Sequence, residues 1–393
     1  MEPVLIEQLP VDRRILRLAI VTETYLPEVN GVSLSLARLV EGLRGRGHDI
    51  QLVRPRQDPR DAAAAGDGFN ETLTRGVPIP RYPQLKLGLP ARRTLLRQWR
   101  IRRPDLVHIV TEGPLGWSAL QAATQLRIPV TSDFRTNFHA YSRHYGIGWL
   151  RKPIFGYLRK FHNRTRMTLV PTEAMRAELA QLGFANLHVL SRGVDTALFS
   201  PQRRSDELRL SWGAGADTPV ALHVGRLAPE KNLGVLVEAV ERIAREHPRA
   251  KVVLVGDGPE LGSLRARLPQ AHFAGLLRGE VLARHYASAD LFLFPSVTET
   301  FGNVTLEAMA SGLVPVAFDY AAAAQHARHG RQALLAPMGN AEAFVALAAG
   351  LVAMHGADPG RFRAMAAEAR AVAEALDWEA IIARFERLLV SAA

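Results

Sequence analysis

Short apolar runs rich in β-branched residues recur along the chain, and most are followed by a turn and then by apolar residues at helical spacing. The first run, Arg17-Leu-Ala-Ile-Val-Thr22, predicts a buried parallel strand. A loop follows, Tyr25-Leu-Pro-Glu-Val-Asn-Gly31, and then Leu34, Leu36, Leu39, Val40 and Leu43 mark a helix over 33–45. Further strands are expected at 49–53, 106–110, 128–131, 168–171 and 188–190, whereas 58–70, rich in Ala, Gly and Asp, reads as a loop. The pattern then restarts, with strands at 220–224, 251–255, 291–294 and 314–317 and a helix at 233–247. Two α/β units in tandem, each a doubly wound Rossmann-like sheet, are therefore expected, with their junction near 195–205. The expected divisions are 1–196, 197–375 and a C-terminal segment 376–393. In that last segment Ile381, Ile382, Phe385, Leu388 and Leu389 form one apolar helix face, expected to pack back on the first unit. Ligands of such sheets bind beyond the carboxyl ends of the strands, so the cleft between the units is the expected site.

Composition narrows the function. A length of 393 residues suits two domains, and 48% hydrophobic and 22% charged residues is ordinary globular usage. No apolar run approaches the roughly 20 residues of a bilayer span. The first residues carry Glu2 and Glu7 and lack a basic flank, so a cytoplasmic location is expected. The absence of cysteine excludes disulfides, zinc–thiolate sites and cysteine catalysis. The net charge of +11 is unevenly spread: residues 1–195 hold 29 Lys/Arg against 17 Asp/Glu, and the rest hold 20 against 21. Two clusters dominate, Arg92, Arg93, Arg97, Arg100, Arg102 and Arg103, and then Arg143, Arg151, Lys152, Arg159, Lys160, Arg164 and Arg166. They suit an anionic lipid surface, a nucleic acid or an acidic glycan, or are simply a solvated face. Nucleic acid is disfavoured, because no recognition motif occurs and aromatics are only 7% of residues. A dinucleotide oxidoreductase is disfavoured too, since Gly256-Asp-Gly-Pro-Glu-Leu-Gly262 is not Gly-x-Gly-x-x-Gly and no other segment is.

Two constellations carry the chemistry. Val224-Gly-Arg-Leu-Ala-Pro-Glu-Lys-Asn232 follows a strand and opens a helix. It sets Arg226 and Lys231 at the cleft mouth, where a guanidinium fork and a point charge suit a pyrophosphate. The second runs from Pro295 through Glu299-Thr-Phe-Gly-Asn303 to Glu307 and Gly312. A strand ends before it, and a helix is expected from Asn303 to a stop at Gly312. Its free first amides can meet phosphate or sugar oxygens, Gly302 keeps the approach open, and Glu307 can accept both hydroxyls of a vicinal diol such as a ribose. Glu112, at the cleft end of the strand 106–110, is a candidate on the opposite side, whereas His108 within that strand reads as structural.

The Arg-x4-Lys and Glu-x7-Glu pair, in this order and about 70 residues apart, resembles the retaining glycosyltransferases of family 4 with the GT-B fold. Glu299-Thr-Phe-Gly-Asn303 and Tyr25-Leu-Pro-Glu-Val-Asn-Gly-Val32 are most similar to the branch using GDP-mannose, which neighbours glycolipid synthases using UDP-sugars. The resemblance implies a first domain that binds an acceptor lipid or glycan and a second that binds the nucleotide sugar. It implies that Arg226 and Lys231 neutralise the departing diphosphate and that Glu299 holds sugar hydroxyls. Phe301, Gly302 and Asn303 would present backbone to the donor, and Glu307 would bind the ribose. Gly31 would let the first domain reach the phosphates, Asp257 and Gly258 would line the nucleotide, and 276–282 would flank the base. No Asp-x-Asp pair occurs, which fits a site needing neither metal nor other cofactor. The basic first half would touch the inner face of an anionic membrane. The chain departs from the family at Ser132-Asp-Phe-Arg-Thr-Asn-Phe-His139, where Arg135 occupies the place of a frequent histidine; His139 is the other candidate there. It also departs at Asp319-Tyr-Ala-Ala-Ala-Ala324, where many relatives have Gly-Gly.

Overall fold

A computed structural model describes residues 14–28, 31–79, 82–135 and 151–393. Among these residues ten strands fall in the first half: β1 (Arg17–Val21), β2 (Asp49–Pro55), β3 (Ala65–Gly66), β4 (Phe69–Thr74), β5 (Gly76–Ile79), β6 (Tyr82–Gly88), β7 (Leu106–Ile109), β8 (Val130–Asp133), β9 (Met167–Val170) and β10 (Leu187–Val189). Six more follow: β11 (Val220–Val224), β12 (Lys251–Val255), β13 (His272–Gly275), β14 (Leu291–Phe294), β15 (Val314–Phe318) and β16 (Leu334–Ala336). The first sheet runs β10-β9-β8-β7-β1-β2-β4-β3 and the second β13-β12-β11-β14-β15-β16, while β5 and β6 pair as a separate hairpin. Every pairing in the two large sheets is parallel except that of β3 with β4. β11, β12 and β14 are buried almost throughout, as strands covered by helices on both faces must be, whereas β13 at the sheet edge is only partly buried.

Both sheets reverse their winding at a defined place, between β1 and β7 in one and between β11 and β14 in the other. The loops leaving those four strands carry Glu23, Glu112, Arg226 and Glu299. Crevices at such reversals are where doubly wound sheets bind ligands.

The stretch 58–70 is not simply a loop. It contains β3 and the start of β4, and β4 pairs in parallel with β2 from Ile50↔Phe69 to Pro55↔Thr74. Its composition gives no sign of this, because the pairing rests on distant ion pairs. Buried Arg54 donates to both Asp61 oxygens, at 2.6 and 2.9 Å, and to Glu71 at 3.1 and 3.0 Å. The expected helix at 33–45 spans Gly31–Gly45, and the C-terminal one spans Trp378–Ala392. Ile381, Ile382, Phe385 and Leu389 of the latter share one core with Leu16, Leu36 and Leu39 of the first unit. The two helices lie so close that a Cβ on Gly42 would stand 2.3 Å from Ile382. Glu386 locks the contact by accepting from Arg46 at 2.8 Å and pairing with His48 at 2.9 Å. Among the described residues no single helix is long and apolar enough to cross a membrane.

Candidate active site

Lys231 and Glu299 meet at the reversal of the second sheet. Lys231 ends a short 3-10 turn, Pro229–Lys231, and the helix Leu233–Glu246 begins two residues later. Glu299 sits in the loop between β14 and the helix Asn303–Ala310. The Lys231 Nζ donates to Glu299 Oε1 at 2.5 Å, Ser296 donates to the same oxygen at 2.6 Å, and the ammonium lies 5.9 Å from the centre of the Phe294 ring. Two cross-links hold these loops in register: Asn232 donates to Pro295 O at 3.2 Å and Thr298 to Glu230 O at 2.8 Å. Arg226 pairs with Glu230 through Nε at 3.0 Å and remains more than half exposed at the rim.

The helix Asn303–Ala310 begins after Gly302, whose φ of 89° favours glycine, and no side chain caps it. The amides of Asn303 and Val304 therefore remain available to a ligand, while Thr305 N donates to Gly302 O at 3.1 Å. The buried Asn303 Oδ1 has no partner among the described residues. Glu307 lies within this helix, its carboxylate accepting from Tyr286 OH at 3.0 Å. Burial pushes Glu307 up to about 7, against the lowering effect of the Tyr286 hydrogen bond. The segment after β15 braces the same loop, with Tyr320 OH donating to Glu299 O at 2.8 Å and Ala322 N to Phe301 O at 2.8 Å. Ala321 holds φ of 53° there, a left-handed conformation uncommon for alanine, in the stretch that departs from Gly-Gly.

The loops after β11 and β12 touch backbone to backbone. Leu227 N donates to Asp257 O at 2.9 Å and Glu260 N to Leu227 O at 3.0 Å. The Asp257 side chain is exposed and accepts from Gly258 N at 2.7 Å. Phe301 is buried edge-on against His326, with ring centres 5.8 Å apart. The segment 276–282 follows β13 and leaves Leu276 exposed.

On the facing unit, Arg135 donates to Asp133 at 2.5 Å and to Ser35 at 2.7 Å, and Asp133 also lies 3.4 Å from His108 Nε2. Burial alone would raise Asp133, but Arg135 and then His108 hold it well below the usual carboxylate range. His108 further contacts Thr131 at 2.9 Å and the edge of Phe385, as a structural residue does. Gly31 starts its helix, while His139 lies outside the described residues.

Two residues at this site were not singled out in the sequence. Arg192, in the loop after β10, has its guanidinium 5.9 Å from the Phe301 ring centre and so reaches across to the second unit. Glu23, in the loop after β1, accepts from Leu115 N at 3.1 Å at the start of the helix Pro114–Gln125. The signal for Glu23 was its place at the end of the first strand; Arg192 had none, because only long-range packing brings it in. Glu112 is buried, with Oε1 unpartnered among the described residues. Burial pushes both Glu23 and Glu112 up to about 7, with Glu23 and Asp133 adding to the rise at Glu112.

These raised carboxyls set a pH dependence. Each keeps its proton to higher pH folded than unfolded, so the stability it contributes is complete below the ordinary value of 4.5 and is lost as pH rises through about 7. The melting temperature is expected to fall between about pH 5 and 8, and Glu112→Gln is expected to flatten the fall. An unchanged slope in that variant would show that Glu112 is not the group responsible.

The family described as Glycosyltransferase Family 4 matches residues 29–198, and that described as Glycosyl transferases group 1 matches residues 218–353. The chain is 36% identical over 309 residues to the GDP-mannose-dependent alpha-mannosyltransferase of Mycolicibacterium smegmatis, spanning 77% of this chain and 80% of that one. It is 31% identical to the sulfoquinovosyl transferase SQD2 of Arabidopsis thaliana, over 74% of this chain and 56% of the plant protein. Among solved structures, HepE of Anabaena in complex with UDP superposes with a TM-score of 0.74 at 20% identity, over 95% of this chain and 100% of HepE.

Proposed function

The chain belongs to glycosyltransferase family 4 and is a glycosyltransferase of the GT-B fold, and from that premise we propose that it moves a hexose from a nucleotide sugar to an acceptor hydroxyl with retained anomeric configuration. The donor proposed is GDP-mannose and the acceptor a glycolipid or lipid. The observation that carries this reading is the meeting of Lys231 and Glu299 at 2.5 Å, with Arg226 on the loop before Lys231 and Glu307 in the helix that follows Glu299. Relatives named as GDP-mannose-dependent mannosyltransferases support the donor, and glycolipid synthases among the relatives support the acceptor.

Lys231 and Arg226 are each held by a carboxylate. A diphosphate entering beside them would compete for both cations and gain the uncapped amides of the helix Asn303–Ala310. Glu299 would then turn to the sugar hydroxyls and Glu307 to the ribose diol. As the bond from the anomeric carbon to the diphosphate breaks, negative charge grows on the leaving oxygen, where Lys231 and Arg226 are already placed. The acceptor hydroxyl would arrive on the same face from the side of Glu112 and Arg135, its oxygen bonding to the anomeric carbon as the diphosphate leaves and its proton passing to the departing diphosphate oxygen. The reaction would need positioning and fixed charge only, without a protein nucleophile or a metal ion. A thermal-shift panel tests the donor: GDP-mannose is expected to raise the melting temperature more than UDP-linked sugars. Stabilisation by a UDP-sugar alone would move the assignment to a UDP-sugar-dependent glycolipid synthase.

The lipid acceptor is supported by the basic surface. The helix Arg92–Ile101 buries Leu95 and Trp99 and turns Arg92, Arg93, Arg97 and Arg100 outward. The helix Arg151–His162, carrying exposed Lys152, Arg159 and Lys160, lies against the helix Pro114–Gln125 through the Trp117–Tyr157 contact at 5.6 Å. Binding to vesicles is expected to require anionic lipid and to weaken with salt. At about 1 kcal/mol per residue, replacing Arg93, Arg97 and Arg100 together by Gln should weaken it by about two orders of magnitude. Vesicle binding indifferent to salt and to these substitutions would remove the membrane surface from the account.

A further inference from the structure

Of the cations around the gap, Arg192 stands apart. Lys231 is matched by Glu299, Arg226 by Glu230, and Arg135 by Asp133. The Arg192 guanidinium makes no hydrogen bond or ion pair among the described residues, and it lies over the face of Phe301. It is nevertheless drawn into the protein: burial first, and Arg135 second, push it down to about 10, with Asp133 and Glu299 acting in the other direction. The side chain keeps part of its surface open to solvent, so a guanidinium with no carboxylate bonded to it is left to meet an entering anion.

Its position says which part of the reaction it meets. Arg192, Arg135, Asp133 and Ser35 line one small cavity at the carboxyl ends of β8 to β10. A Cβ on Gly31 would stand 3.9 Å from the Arg192 guanidinium, so the start of the helix Gly31–Gly45 borders it as well. Phe301 ties it to the loop that carries Glu299. The charge left over is therefore positive and lies between the residue proposed to hold the sugar and the side from which the acceptor comes. We propose that Arg192, supported by Arg135, forms an anion subsite that takes an acidic group, a carboxylate, sulfate or phosphate, carried either by the transferred hexose or by the acceptor. The proposal rests on the donor site described above, and it adds a substrate class: one of the two sugar-transfer substrates is negatively charged beyond its diphosphate.

The test is kinetic, on the full chain and on Arg192→Gln, with Arg192→Lys as the conservative variant. Donors are the uronate against the neutral hexose on the base that the thermal shifts favour, GDP-mannuronate against GDP-mannose or UDP-glucuronate against UDP-glucose, and acceptors, each run with the neutral donor, are phosphatidylglycerol against diacylglycerol in neutral mixed micelles. An acidic group held by a charged hydrogen bond is expected to favour the anionic member by about 10- to 100-fold in kcat/KM in one arm. Arg192→Gln is expected to abolish that preference mainly through KM, and Arg192→Lys to restore part of it. Preference in the donor arm places the charge on the hexose, and preference in the acceptor arm places it on the acceptor. A charge preference that is absent, or unchanged in Arg192→Gln, overturns the subsite. Weakened binding of GDP or UDP alone by Arg192→Gln also overturns it, because Arg192 would then hold the leaving diphosphate. Thermal shifts by GDP and UDP read the underlying donor site separately. A shift kept by both proteins without charge preference sinks the subsite alone, and no shift in either sinks the donor site and the subsite with it.

Discussion

Replacement of Lys231 by alanine is expected to lower turnover by about 100- to 1000-fold, the usual loss when one fixed charge is removed from a developing oxyanion. The loss should appear in kcat more than in donor KM, because the cation matters most as charge builds on the leaving oxygen. Stability should change little. The pair with Glu299 is one contact, both side chains keep some exposure, and the Ser296 hydroxyl still donates to Glu299 Oε1 at 2.6 Å. A drop of about 1–2 kcal/mol is the most that a lost charged hydrogen bond should produce here. Lys231→Arg should restore only part of the rate, since a planar fork does not fill the place of a point charge. Steady-state release of the nucleoside diphosphate and a melting curve suffice to check this; unchanged kcat in a folded Lys231→Ala would remove the residue from the reaction.

The second large effect is structural and lies just behind that charge. A Cβ on Gly256 would stand 1.9 Å from Gly225 O, and one on Gly258 2.3 Å from Leu227 O. The obstacle in both cases is backbone, and the backbone has little room to retreat. Gly225 N donates to Val255 O at 3.0 Å, and Leu227 is bonded to both Asp257 and Glu260. Gly256→Ala is therefore expected to force the two loops apart, at a cost of about 3 kcal/mol or more. The loop that moves is the one that carries Arg226, so donor affinity should fall together with the melting temperature. An alanine at Gly262, where no atom lies within 4 Å of the added Cβ, is the matched control and should change neither. A Gly256→Ala protein as stable as the parent would mean that the two loops are not held together in this way.

The second unit was readable because its local and global signals agree. β11, β12 and β14 lie where short apolar runs place them, and the helix Asn303–Ala310 lies between the asparagine and the glycine that mark its ends. Glu299 and Glu307 follow from that helix. The partners that complete their chemistry do not. Tyr286 reaches Glu307 from another helix, and Tyr320 reaches the Glu299 carbonyl from beyond β15. β13 and β16 were not among the expected strands; β13, His-Phe-Ala-Gly, is an edge strand without a buried apolar run. β4 escaped for a different reason: its partner is β2, and the Arg54 ion pairs that hold it bind residues up to 17 apart. Arg192 belongs to no periodic segment at all. Its role comes from the approach of two sheets, and one chain position cannot announce that.

The account turns on whether Arg226, Lys231 and Glu307 hold one nucleotide. The most direct measurement is a crystal structure of the chain with GDP bound, or with UDP if that is the base it prefers. The account predicts the diphosphate within about 3.5 Å of both the Lys231 ammonium and the Arg226 guanidinium, with the ribose hydroxyls on the Glu307 carboxylate. A nucleotide bound elsewhere, or one whose ribose leaves Glu307 on Tyr286 alone, would contradict it.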